Sequence, residues 1–159
     1  FDFSNCSLLV QSSEDIQQGS YKEQQDAEGE GTVSTYVPFR NGLFLSAAAS
    51  LALSLDCGYI YYGAHSDDAA GNAYPDCTEH FYKSMGDAIF EGAGKECSLE
   101  APFINSNKAA IVKEGLRLGV PYHLTWSCYE GGDKPCGHCG TCIDRAKAFH
   151  ANGVEDPAL

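Results

Sequence analysis

Basic side chains are scarce in this 159-residue chain: 10 Lys and Arg face 22 Asp and Glu, a formal net charge of −12. That balance repels nucleic-acid backbones and anionic membrane surfaces, so neither is expected as a partner. Long apolar runs are lacking too. The longest, Leu43 to Leu55, is broken by Ser46, Ser50 and Ser54. It falls short of the ~20 residues a membrane-spanning helix needs. No basic stretch precedes an apolar one near the start, so the pattern of a secretory signal is missing. Methionine is nearly absent: Met85 is the single one, and the chain opens Phe1-Asp2-Phe3 and runs on to Leu8-Leu9-Val10. That opening reads as entry in mid-fold, and the expectation is a portion of a longer protein.

What is present describes a globular domain. Apolar residues make 43% and charged residues 20%. At this length folding removes ~68–70% of the unfolded surface from water, enough for a real core.

The eight cysteines are Cys6, Cys57, Cys77, Cys97, Cys128, Cys136, Cys139 and Cys142. An even number fits disulfides in a secreted protein. The distribution argues otherwise, because the last four are clustered and the first four stand singly among apolar residues. A metal cluster plus isolated buried thiols fits better. It implies a reducing compartment, hence a cytoplasmic location.

Along the chain, residues 11–35 are rich in Gln, Ser, Glu, Asp and Gly. They read as a long mobile loop, either disordered or a lid. Leu43, Phe44, Ala47, Ala48, Leu51 and Leu55 recur at helical spacing, and Cys57-Gly58 ends that helix. Tyr59 to Gly63 is an aromatic, β-branched strand. Asp76 is placed to cap a helix carrying Phe81, Met85, Ala88 and Ile89, which Gly92 and Gly94 stop. Leu99 to Phe103 reads as a second strand. Ser106 is placed to cap a helix with Ala110, Ile111 and Leu118, ended by Gly119. A last helix runs from about Thr141 to His150. Alternating helices and short strands favour an α/β fold with a parallel sheet. In such sheets ligands bind beyond the carboxyl ends of the strands, which directs attention to the loop after Gly63. Residues 1–127 are expected to form the α/β domain and residues 128–159 a metal-binding C-terminal region.

Cys128, Cys136, Cys139 and Cys142 can close a tetrahedron round one soft divalent ion, with Gly137 and Gly140 allowing the backbone to turn tightly. Cys142 in the first turn of the last helix lies where the dipole favours a thiolate. Zinc is the first choice, and a [4Fe–4S] cluster also accepts four cysteines. Four sulfur ligands leave no open position, so such a zinc is structural. His138 stands between two ligands and reads as an exposed residue on the knuckle.

Several separate stretches then agree. Val37-Pro38-Phe39-Arg40-Asn41, the segment Gly63-Ala64-His65-Ser66-Asp67-Asp68-Ala69-Ala70-Gly71-Asn72-Ala73-Tyr74-Pro75-Asp76-Cys77, Asn107-Lys108-Ala109-Ala110-Ile111, and Cys128 with Cys136-Gly137-His138-Cys139-Gly140-Thr141-Cys142 follow one another over about residues 35–150. Together they resemble the 7-cyano-7-deazaguanine synthase family of queuosine biosynthesis, within the PP-loop ATP pyrophosphatase superfamily. The resemblance implies a Rossmann-like (adenine nucleotide alpha hydrolase-like) parallel sheet, a C-terminal zinc held by four cysteines, and ATP with Mg²⁺. It implies a ligase reaction in which 7-carboxy-7-deazaguanine is adenylated at its carboxylate and ammonia displaces AMP. A second ATP-dependent activation then dehydrates the amide to the nitrile.

Carried onto this sequence, Arg40 and Lys108 become the catalytic candidates, each at a helix start where a cation meets phosphate or carboxylate. Asn41, Asp68, Tyr74, Asp76 and Phe81 become the substrate-binding candidates. A carboxylate accepts from adjacent N–H donors of a guanine-like face, and a tyrosine ring stacks on a flat heterocycle. Asp68 can hold Mg²⁺ or a substrate amine. The family's Ser-Gly-Gly-x-Asp-Ser loop is absent from these residues, and Glu130-Gly131-Gly132-Asp133, between cysteine ligands, does not replace it. Phe39 stands where the family pattern has glycine, and Thr78 where it has arginine. The expected reading is therefore an incomplete portion of such an enzyme, inactive alone, with a homodimer expected wherever the sheet edge is left open. The alternatives are another PP-loop enzyme of amidase or tRNA-thiolation type, and a non-catalytic zinc-stabilised heterocycle-binding module.

Overall fold

The computed structural model describes residues 18–158 apart from residues 30 and 34. The chain's opening Phe1-Asp2-Phe3 and the buried thiol expected at Cys6 lie outside the described residues. Two compact units emerge: Pro38–Ser106 forms one, and the described residues up to Val37 together with those from Asn107 onward form the other.

The Pro38–Ser106 unit is a parallel βαβ arrangement. Helix α2 (Arg40–Ser54) leads into strand β1 (Tyr59–Tyr61), a short helix α3 (Ser66–Ala69), helix α4 (Glu79–Gly92) and strand β2 (Ser98–Glu100). β1 and β2 pair in parallel, with Ile60 opposite Leu99. Parallel neighbours need a long crossover, and α4 supplies it. Its core is apolar: Leu45, Ala52, Ile60, Ile89, Ala93, Cys97 and Leu99 are buried together, with Phe81, Tyr82 and Met85 packed against them. Several sequence expectations shift slightly. Both strands are shorter than Tyr59–Gly63 and Leu99–Phe103, because the chain turns off the ladder after one further bond, Tyr62 N–H to the Glu100 carbonyl at 2.8 Å. The cap of α4 is Thr78, whose hydroxyl accepts from Phe81 N–H, rather than Asp76. Cys57 is exposed, whereas Cys77 and Cys97 are buried. Helix α2 starts from Phe39, which holds the left-handed φ of 57°. The Phe39 ring meets that of Phe81 edge-on at 6.0 Å between centroids.

The other unit contains α1 (Tyr21–Glu28), α5 (Lys108–Arg117) and α6 (Gly140–His150). α1 corrects the reading of 11–35 as a mobile loop throughout. Ser20 and Glu23 form a complete capping box, with the Ser20 hydroxyl accepting from Glu23 N–H and the Glu23 carboxylate accepting from Ser20 N–H. That pair satisfies two of the orphan donors that a polar segment otherwise leaves to water. Tyr21 and Gln24 are buried from its inner face. The cap of α5 is Asn107 rather than Ser106. The division also falls elsewhere than at 127/128. Val112 of α5 is buried with Ala148 and Phe149 of α6, and Asn152 donates to the Ala109 carbonyl, so α5 belongs with the cysteine region. Arg145 is the hub here. It makes a two-armed pair with Asp156 at 2.6 and 2.9 Å and lies 5.5 Å from the Phe149 ring centre. Among the described residues no helix is long and apolar enough to cross a membrane.

Candidate functional site

Two constellations carry chemistry, one in each unit. The first lies beyond the carboxyl end of β1. Asp76 is 3% exposed and sits in a turn of 3₁₀ helix over Pro75–Cys77. Its Oδ2 accepts from the backbone N–H of Asn41, the second residue of α2, at 3.0 Å. The Asn41 side-chain amide reaches the Asp76 carbonyl at 3.5 Å and Cys77 Sγ at 3.4 Å. The Tyr62 hydroxyl donates to the same carbonyl and lies 3.6 Å from Cys77 Sγ. Asp76 Oδ1 is buried and has no hydrogen-bond partner among the described residues. A buried carboxylate oxygen costs free energy unless something donates to it, so this atom is an acceptor left unsatisfied among the described residues.

Its neighbours follow from the same turn. Tyr74 is buried, and its backbone N–H donates to the Asp68 carbonyl at 3.0 Å. Asp68 also pairs with His65 Nε2 at 3.3 Å. Ser66 donates through both its N–H and its hydroxyl to the Ser106 carbonyl, so the loops leaving β1 and β2 are tied together. Burial pushes the Tyr62 hydroxyl upward in pKa, and the neighbouring Cys77 adds to the effect. Burial likewise pushes the Cys77 thiol up to about 11. Both are therefore neutral at physiological pH, and Cys77 is a hydrogen-bonding wall rather than a ready nucleophile.

The structure thus brings Asn41, Asp68, Tyr74 and Asp76 into one unit with Arg40, which opens α2 and is partly exposed. Phe81 is half-buried against the apolar core and edge-on to Phe39. Lys108 opens α5 in the other unit. Sequence reasoning missed Tyr62, whose only signal is its place as the first residue after a strand.

The second constellation is the cysteine centre. Cys128, Cys136, Cys139 and Cys142 offer sulfurs that all lie within 4.8 Å of one another. Four sulfurs at about 2.3 Å from a tetrahedral zinc are about 3.8 Å apart, so a small contraction suffices to close the site. Donors already face these sulfurs: Cys136 N–H points at Cys128 Sγ at 3.4 Å and Cys139 N–H at Cys136 Sγ at 3.3 Å. Thr141 touches Cys139 Sγ at 3.3 Å and donates to the Ser127 carbonyl at 2.7 Å. Cys139 is pulled down to about 6 because hydrogen bonds from Thr141 and backbone groups outweigh the opposing effect of burial. Burial drives Cys142 the other way. Metal binding needs thiolate ligands, and Cys139 is the thiol its surroundings favour in that form. Gly137 takes a left-handed φ of 77° at the turn. Gly140 serves a different end: a Cβ there would stand 2.9 Å from the Tyr21 ring, so glycine lets α1 approach.

A parallel α/β unit with a buried acceptor beyond its strands, and a cluster of four cysteines able to hold a metal ion, define the class: a mixed α/β protein with a candidate metal centre. The model of the queuosine biosynthesis protein QueC family matches residues 2–153, and the chain belongs to that family. It is 42% identical over 151 residues to a 7-cyano-7-deazaguanine synthase of Psychromonas ingrahamii, covering 95% of this chain and 65% of the relative. It is 48% identical over 126 residues to that of Archaeoglobus fulgidus, covering 79% and 52%. It is 44% identical over 151 residues to that of Caldicellulosiruptor saccharolyticus, covering 95% and 64%. The chain therefore spans between about half and two-thirds of the length of these relatives.

Proposed function

We propose that this chain carries the heterocycle-binding part of a 7-cyano-7-deazaguanine synthase, a cytoplasmic enzyme that turns 7-carboxy-7-deazaguanine, ammonia and ATP into the nitrile. The observation that carries this reading is the buried Asp76 carboxylate, with Oδ2 fixed by Asn41 and Oδ1 lacking a donor among the described residues. A guanine-like ring presents a ring N–H and an exocyclic amine side by side, and a carboxylate accepts from both. Tyr74 walls the ring, with Phe81 behind it. Asp68, already paired with His65, meets a substrate amine or Mg²⁺.

In this reading the fold belongs to the Rossmann-like PP-loop layer, which the parallel β1–α4–β2 unit supports. ATP adenylates the carboxylate, ammonia displaces AMP to give the amide, and a second activation by ATP removes the amide oxygen. Arg40 at the start of α2 is the cation this unit offers to the phosphate charge that develops in these steps, and Lys108 at the start of α5 is the catalytic candidate of the other unit. The four cysteines hold a structural zinc. With four sulfur ligands it has no open position and fixes α6 without touching substrate.

Titration calorimetry tests the reading. The chain binds 7-carboxy-7-deazaguanine, and Asp76→Asn weakens binding about 10–100-fold, the loss of a hydrogen bond to a charged group. Undiminished binding by the variant overturns the assignment. A second reading, a zinc-stabilised heterocycle-binding module without catalysis, draws on the absence of Ser-Gly-Gly-x-Asp-Ser from these 159 residues. It is favoured by heterocycle binding with no ATP binding and no AMP release. A tRNA-thiolating PP-loop enzyme is disfavoured by the net charge of −12.

A further inference from the structure

A second group of ligating side chains shares one edge with the cysteine centre. Glu130, Cys136 and His138 offer donor atoms that all lie within 4.8 Å of one another. Cys136 is the outermost of the four thiols, half-buried where Cys128, Cys139 and Cys142 are buried. On its outer side His138 Nδ1 stands 3.3 Å from Glu130 Oε1 and 2.5 Å from Gln18 Oε1. Gln18 Nε2 donates to the same Glu130 oxygen at 3.4 Å, which aims the Gln18 carbonyl at the imidazole. The Glu130 and Gln18 oxygens thus converge on one imidazole nitrogen, with the Cys136 sulfur close by. With the imidazole proton on Nε2, the Nδ1 lone pair, a carboxylate oxygen and the Cys136 sulfur are electron-pair donors in one small cluster, with the Gln18 carbonyl alongside.

We propose that Glu130, Cys136 and His138 form an accessory site for a borderline or soft divalent cation such as zinc, cobalt or cadmium, with Cys136 bridging it to the ion in the four-cysteine centre. Imidazole and thiolate select that class over magnesium or calcium, and a thiolate keeps lone pairs enough to serve two ions. The acidic chain draws cations toward it. Because Gln18 pairs in a bridge with Cys139, the accessory ion also clamps the segment before α1 onto the knuckle.

The test uses the whole chain loaded with one equivalent of zinc, with the zinc content measured before and after. Cobalt is then added while calorimetry and absorbance are followed. A second equivalent binds with a sulfur-to-cobalt charge-transfer band while the zinc stays in place. Glu130→Gln and His138→Ala each weaken that second equivalent at least about tenfold, the low end of the loss when a group supporting a bound metal is removed. Both side chains lie outside the buried cysteine pocket, and retention of the first zinc reports that each variant is folded. Uptake of a single equivalent, cobalt entering only by displacing zinc, or a second equivalent that neither variant weakens would each overturn the proposal.

Discussion

The two units hold themselves together by different means. The Pro38–Ser106 unit has seven residues buried in one apolar cluster that spans α2, both strands and α4. Among the described residues its counterpart has Val112, Ala148 and Phe149 in one cluster and three cysteine sulfurs in another. Beside these clusters the described residues add chemistry of higher energy per residue: four cysteines able to hold a metal ion, a buried ion pair and a capped helix.

Metal removal separates the two most sharply. Structural zinc contributes roughly 10–16 kcal/mol in small zinc domains, as much as a whole domain's stability. After verified extraction by a chelator, hydrogen exchange will accelerate across α5 and α6 while α2, α4 and the strands keep their protection. Uniform loss, or none, would break the contrast between the units.

Asp156→Asn comes next. The Arg145–Asp156 pair has side chains 12% and 1% exposed, and Arg145 also donates to the carbonyls of Tyr122 and Thr125. Removing one partner of a buried pair costs about 3–5 kcal/mol because the other charge stays buried alone. Denaturant unfolding of the metal-loaded chain measures this, and a loss below about 1 kcal/mol would mean the pair is solvated.

Alkali probes the apolar unit instead. Burial raises the Cys77 thiol from 9.0 to about 11, so the fold binds that proton more tightly than the unfolded chain does. Its contribution is fully present below pH 9.0 and is lost as the pH climbs through about 11. The stability difference between the parent and Cys77→Ala will shrink over that window, and iodoacetamide will modify Cys77 slowly at about pH 8, well below the raised value. Rapid alkylation there would contradict the burial. Smaller still is Ser20→Ala, which removes the cap of α1 at a cost of about 1 kcal/mol, read by thermal unfolding.

The apolar unit was the more legible from sequence. Its helices announce themselves by periodic Leu, Ala and Phe, and its strands by Tyr59-Ile60-Tyr61 and Leu99. Cap positions slipped by one or two residues because Asp76, Thr78, Ser106 and Asn107 are all competent caps, and tertiary contacts choose among them: Asp76 is engaged by Asn41 and leaves α4 to Thr78. The cysteine spacing was legible too: the four sulfurs it singled out do come together in the fold. Helix α1 was hidden by its composition, although Ser20-Tyr21-Lys22-Glu23 carries the capping-box signature in plain view. The network round Asp76 was only half legible, since its acceptor stands out in sequence while the Tyr62 and Asn41 donors are brought to it from the end of β1 and the start of α2. Glu130 and Gln18 gave no signal, because neither has meaning until the chain folds back on the knuckle.

The left-handed backbone at Phe39 has a consequence for what the position will accept. A saturation library there, sorted for folded protein, will enrich glycine and asparagine and deplete valine, isoleucine and threonine, whose branched Cβ cannot take that mirror-image conformation cheaply. Phenylalanine will survive by virtue of its ring lying across Gly42 and against Phe81, so enlarging Gly42 will drive it from the pool.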